Sequence, residues 1–265
     1  MTEYILLYFL LGVAILLAPL MTNGFFLRNS KLYGGAHKAA IAVLIVGVIF
    51  KLSYLSVIWP VFCVLGFLLF LSQEMKRILT FRGVATCIPF VFSIISAVWL
   101  FAGSNDLRLL GYDPSWSYYA ALHGSFLGWL FVGCLAFVSQ RERLNRLYIA
   151  GCYLSLVCFL LVAFGIDGVP YIKRIGVIGF AVIVPFFIAL FRANLREETS
   201  RSRLLGNLSL LSVCLTMALA LMNEFWIGAP RVAFGFPIMV FAHGFLNAMV
   251  TIPCFYFAIL SDRLR

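Results

Sequence analysis

Long apolar runs separated by short polar clusters recur along the whole chain. Most approach the roughly 18 to 20 residues that an α-helix needs to cross a bilayer. The pattern predicts nine such helices, at about 4–22, 37–53, 55–72, 83–103, 117–139, 147–166, 171–191, 204–222 and 234–260. Read as one helix broken near Trp59-Pro60, residues 39–72 would far exceed a bilayer crossing. A tight turn around Lys51-Leu52-Ser53 divides them into two short spans. The first run, ILLYFLLGVAILLAPL, follows Met1-Thr-Glu-Tyr with neither a basic start nor a small-residue cleavage site. It reads as a retained span rather than a cleavable leader.

Composition agrees with this pattern. The chain is 63% hydrophobic and 11% charged, with a mean hydropathy of +1.05, well outside the range of soluble domains. Seven cysteines all lie in or beside apolar runs without a Cys-x-x-Cys pair, so they read as small buried side chains. The net charge of +10 is explained by topology. With nine spans and the N-terminus outside, 15 Lys and Arg fall inside and 5 outside, a strong positive-inside bias. Acidic residues divide evenly, five to each side. The basic excess therefore faces the inner leaflet and gives no reason to invoke nucleic acid. The expectation is an all-α polytopic membrane protein, N-out and C-in, in a bacterial cytoplasmic membrane.

Two of the three histidines have matching surroundings: ALHGSFLG at 121–128 and FAHGFLNA at 241–248. A shift of about 120 residues superposes His123-Gly124 on His243-Gly244 and lays spans two to five on spans six to nine. The same shift nearly aligns Asn105-Asp106, at the end of span four, with Asn223-Glu224, at the end of span eight. The chain thus reads as one transmembrane domain with an extra first helix (1–30) and two four-helix units (36–143 and 145–262). An even number of spans per unit makes this a parallel repeat about the membrane normal.

In this topology His123 and His243 lie roughly 9 and 14 Å below the outer surface. Gly124-x-x-x-Gly128 and Gly244-x-x-x-Ala248 allow close helix approach, and spans five and nine are expected to meet on these faces. One outward-opening site would then gather Asp106, Glu224, His123 and His243 as acid–base groups. Asn105, Asn223, Asn247, Tyr119, Trp116 and Trp226 would line it for substrate. Trp59, Trp99, Trp116 and Trp226 also fit an outer aromatic belt.

MVFAHGFLNA, residues 239–248, resembles the His-Gly-x-x-Asn-Ala segment of YndJ-like bacterial membrane proteins, and LGVAILLAPL is compatible with that family's start. The resemblance implies class and topology and assigns no activity. ALHGSFLGWLFVG is similar to histidine-bearing spans of haem- and copper-associated membrane proteins of the NnrS type.

Function divides four ways. A membrane enzyme could use the paired acid–base groups on a lipophilic substrate, with proton-initiated cyclisation or isomerisation of an isoprenoid as one fit. No cofactor is predicted for it. A proton-coupled carrier would suit a repeat with polar groups near its axis. In that case Pro89, Pro185 and Pro253 are candidate helix breaks. A haem or copper protein would use His123 and His243 as axial ligands. A non-catalytic scaffold is the fourth reading. Three histidines are too few for a di-iron desaturase, and no Asp-rich pair is present to hold magnesium and diphosphate.

Overall fold

The computed structural model describes residues 2–75, 78–140, 145–167, 169–195, 200–225, 232–233 and 236–263. Among them are nine helices long and apolar enough to cross a membrane, and the chain is a multi-pass helical membrane protein. Helices dominate because lipid offers the backbone no hydrogen-bond partner, so each segment must satisfy its own amides and carbonyls. The helices fall into two compact units: residues 7–133, and residues 1–6 with 134–265.

The 7–133 unit begins within α1 (Thr2–Phe25), which carries Pro19 inside it. Proline has no N–H, so the carbonyl of Ile15, four residues earlier, loses its helical donor. His37 on α2 (Lys31–Ile49) replaces it, with Nε2 2.9 Å from the Ile15 oxygen. The third histidine is therefore a packing residue, buried and stacked on Phe62 with ring centroids 5.4 Å apart. Helix α2 starts six residues before the expected boundary because Ser30 caps it, accepting from the Tyr33 amide at 3.3 Å. It ends where Lys51 turns left-handed at φ +54°, with the Leu52 amide bonded back to the Gly47 carbonyl at 2.8 Å.

Spans two and three are thus separate, as the length argument required. A 3-10 turn (Ser53–Val57) leads into α3 (Ile58–Glu74), whose first turn holds Pro60 where its missing amide breaks no helical bond. Trp59 departs from the belt expectation. It is buried and packs against His37, Phe62 and Trp129 at 6.1, 5.1 and 6.3 Å. Its neighbour Trp129 donates its indole N–H to Thr22 Oγ1 at 2.7 Å, so its one polar atom is satisfied in the core.

Helix α4 (Phe81–Ser104) is capped by Thr80, which accepts from the Gly83 amide at 3.0 Å, and it runs unbroken through Pro89. Span five follows as α5 (Pro114–His123), a π-helical segment (Gly124–Phe131) and α6 (Val132–Val138). The Gly124/Gly128 face, expected to receive span nine, receives α4. A methyl group on Gly124 would press on Ser96, and one on Gly128 would overlap the Phe92 ring.

In the second unit α7 (Asn145–Asp167) and α8 (Pro170–Ala193) form a tight pair, with Gly165 against the backbone of Lys173. Helix α8 also runs through its proline, Pro185. Helix α9 (Ser200–Phe225) follows, then β1 (Val232–Ala233) paired antiparallel with β2 (Phe236–Pro237). That extended pairing delays span nine, which begins at Met239 rather than near 234. Span nine comprises π-helical segments Met239–Gly244 and Asn247–Thr251, then α10 (Ile252–Arg263). Pro253 follows the second π segment and removes a backbone donor there.

Candidate functional site

His123 and His243 fall in different compact units, and each has its own local geometry. His243 belongs to a polar trio. Its Nδ1 lies 2.8 Å from the Thr216 carbonyl on α9, and its Nε2 lies 3.2 Å from the Asn247 amide nitrogen one turn along span nine. Asn247 Oδ1 in turn accepts from Thr216 Oγ1 at 3.0 Å. A carbonyl only accepts, so Nδ1 carries the proton. The neutral ring then offers its Nε2 lone pair to the Asn247 N–H. The donor–acceptor chain closes around an uncharged imidazole.

Two more contacts extend the seam between α9 and span nine. Ser209 Oγ donates to the Thr251 carbonyl at 2.7 Å, and the Ser212 and Thr251 hydroxyls are 2.8 Å apart. Ser209, Ser212 and Thr216 recur at i, i+3 and i+7, which places all three on one helix face.

The corresponding seam in the 7–133 unit is simpler. Ser96 Oγ donates to the Ala121 carbonyl at 2.8 Å and lies 2.6 Å from Ser125 Oγ. His123 turns to its own helix, with Nδ1 2.8 Å from the Tyr119 carbonyl, and its side chain is exposed. The residue four after it is Leu127, whereas the residue four after His243 is Asn247. Near it Trp99, Tyr112, Trp116 and Tyr119 form a row of rings at successive centroid distances of 5.1, 6.3 and 5.9 Å. Asp113 orders the start of this row by accepting from the Trp116 amide at 2.9 Å.

The remaining candidates have other roles in the geometry. Asn105 donates to Ser53 O, Ser56 Oγ and Phe101 O at 3.2, 3.0 and 2.9 Å, tying the end of α4 to the turn before α3. Asp106 follows with φ +56° and an exposed carboxylate, a left-handed helix exit that aspartate tolerates. Glu224 is held by Lys173 Nζ at 2.9 Å and by Arg174 Nε at 3.7 Å, while Asn223 beside it is exposed. Trp226 lies outside the described residues. Among the described residues, no group of three or more His, Cys, Asp and Glu is placed to hold a metal ion.

The sequence reading missed the hydroxyl seams. Two signals were available for them: the Ser209/Ser212/Thr216 stripe, and the 27-residue interval that separates Ser96 from His123 and Thr216 from His243.

A family model described as YndJ-like protein matches residues 13–251, most of the chain. No curated protein and no solved structure matches it.

Proposed function

The chain belongs to the YndJ-like family, and we propose that it is an integral membrane enzyme that moves a proton on a lipophilic substrate, with His243 as the proton-handling group. The observation that carries this reading is the hydrogen-bonded trio of His243, Thr216 and Asn247, which can stay hydrogen-bonded after protonation by the turn of one side-chain amide. In the neutral state Thr216 donates to Asn247 and Asn247 donates to Nε2. After protonation at Nε2, the Asn247 amide turns over, a near-isosteric change that presents Oδ1 to the new N–H. Its NH₂ then faces Thr216 Oγ1, and the Thr216 hydroxyl turns to the Val213 carbonyl, which already lies 3.1 Å away. Both states leave the trio hydrogen-bonded, which matters because an unpartnered polar group is expensive in the membrane.

In this reading the two carboxylates are not the acid–base pair. Glu224 is occupied by two cations, and Asp106 is solvated at a helix exit. The N-out topology and the internal repeat belong to the same proposal, as does placement in a bacterial cytoplasmic membrane. The test compares lipid extracts of membranes carrying wild type and His243→Leu by mass spectrometry. A product present with wild type and lost with the variant is expected. Equal product from both rules out His243 as the proton-handling group.

A second reading, a proton-coupled carrier, is favoured by the π-helical turns beside both His-Gly pairs. Such turns are rare and mark places where helix geometry is adjusted. Proton flux into vesicles without any new lipid species would select it. As a haem or copper ligand, His243 would first have to release Asn247 from Nε2.

A further inference from the structure

The start of α8 breaks a local rule. Acidic side chains suit a helix N-terminus, where unpaired amides and the macrodipole are positive. Helix α8 instead begins Pro-Tyr-Ile-Lys-Arg, with no side-chain cap at Val169, so Lys173 and Arg174 add two positive charges to that end. Among the described side chains, one carboxylate meets them, that of Glu224 on α9. Its side chain is 10% exposed, against 34% for Lys173 and 40% for Arg174, so the acid stands behind and the cations in front. Summed over these three side chains, one positive charge remains, on the exposed cations.

Arg174 is also posed. Its guanidinium lies 5.7 Å from the ring centroids of both Tyr171 and Phe225, and its buried Nε has no hydrogen-bond partner. Along α8, Tyr171, Ile175, Ile178, Val182 and Phe186 are all exposed. Their spacing of four, three, four and four residues makes one continuous apolar stripe. Arg174 stands at its head, three residues after Tyr171 and four before Ile178.

We propose that Lys173 and Arg174 seat the phosphate of an anionic phospholipid, whose acyl chain follows the stripe along α8. The stripe points to lipid rather than free phosphate, because inorganic phosphate would use the cations and leave the apolar residues without a role. The single net charge selects for anionic headgroups. A zwitterionic lipid brings an ammonium that the recessed Glu224 is poorly placed to meet. Glu224 fixes the strength of the site by neutralising one of its two cations. This inference does not depend on what His243 does.

The test uses the full chain in nanodiscs of equimolar phosphatidylglycerol and phosphatidylcholine, with retained lipids counted by native mass spectrometry. Wild type should be enriched in phosphatidylglycerol about fivefold, the effect of one net cation at the membrane edge. Arg174→Gln should bring the ratio near unity. Glu224→Gln should raise it by a similar factor. The opposite signs separate the proposal from a purely structural ion pair, whose loss would lower retention in both variants. Excess inorganic phosphate should leave the enrichment in place. Four results overturn the proposal: no preference in wild type, no change in Arg174→Gln, a fall in Glu224→Gln, or displacement by inorganic phosphate.

Discussion

The seam between α4 and span five and the seam between α9 and span nine use the same parts differently. Each joins a helix bearing small hydroxyl residues to one bearing a His-Gly pair and a π-helical segment. In the first, glycines let the helices approach until Phe92 fills the notch at Gly128, and the histidine keeps to its own helix. In the second, the histidine crosses to the Thr216 carbonyl and Asn247 completes the trio. The difference teaches that a His-Gly pair alone does not define a polar site. The residue four positions later, leucine after His123 and asparagine after His243, decides whether the imidazole has a side-chain partner on its own helix.

The contrast can be broken most strongly at Gly128. Gly128→Val forces side-chain atoms into the Phe92 ring, and destabilisation of about 3 kcal/mol is expected, read as a lower unfolding midpoint of the purified protein. Adding Phe92→Ala should recover part of it. An unchanged midpoint for the single variant would mean that α4 and span five do not meet at this notch.

His37 provides a reference for a histidine with a packing role. His37→Phe keeps an aromatic ring and orphans the Ile15 carbonyl, at a cost of about 1–3 kcal/mol. Pro19→Ala restores the helical donor within α1, so the double variant should be more stable than His37→Phe alone. If Pro19→Ala brings no recovery, the Ile15 bond is not what His37 contributes.

A smaller effect separates the two seams directly. Thr216→Val removes the hydroxyl that serves Asn247 and should lower stability by about 1 kcal/mol, against about 0.6 kcal/mol for Ser96→Ala. Thr216→Val should also change the ¹⁵N signals of His243, whereas Ser96→Ala should leave those of His123 in place. Matching responses would erase the distinction between the seams.

The finest test transplants the difference. Leu127→Asn should shift stability by no more than about 0.5 kcal/mol, since the site is only half-buried. It should give His123 Nε2 an amide partner one turn away and move its ¹⁵N shift toward that of His243. No movement would show that the residue at this spacing is not what separates the two seams.

The nine spans were legible in the sequence because lipid leaves the backbone no choice: an apolar run of sufficient length must be helical to satisfy its own polar groups. The break between spans two and three followed from length and from keeping the basic loops on one side, and Lys51 sits at the turn. Pairing across helices was not legible. Trp59 reads as a belt residue from its position, yet it is buried because His37, Phe62 and Trp129 surround it. Glu224 reads as a free acid, yet Lys173 and Arg174 hold it.

The sequence by itself determined the elements and the positions of the two His-Gly pairs, since these depend on hydropathy and spacing within one segment. Tertiary structure alone decided which histidine replaces a donor lost to Pro19, which keeps to its own helix and which joins Thr216 and Asn247. For His37 and His243 the outcome depends on the carbonyl that a second helix brings within about 3 Å, and hydrogen bonds weaken too steeply with distance for spacing along one chain to specify it.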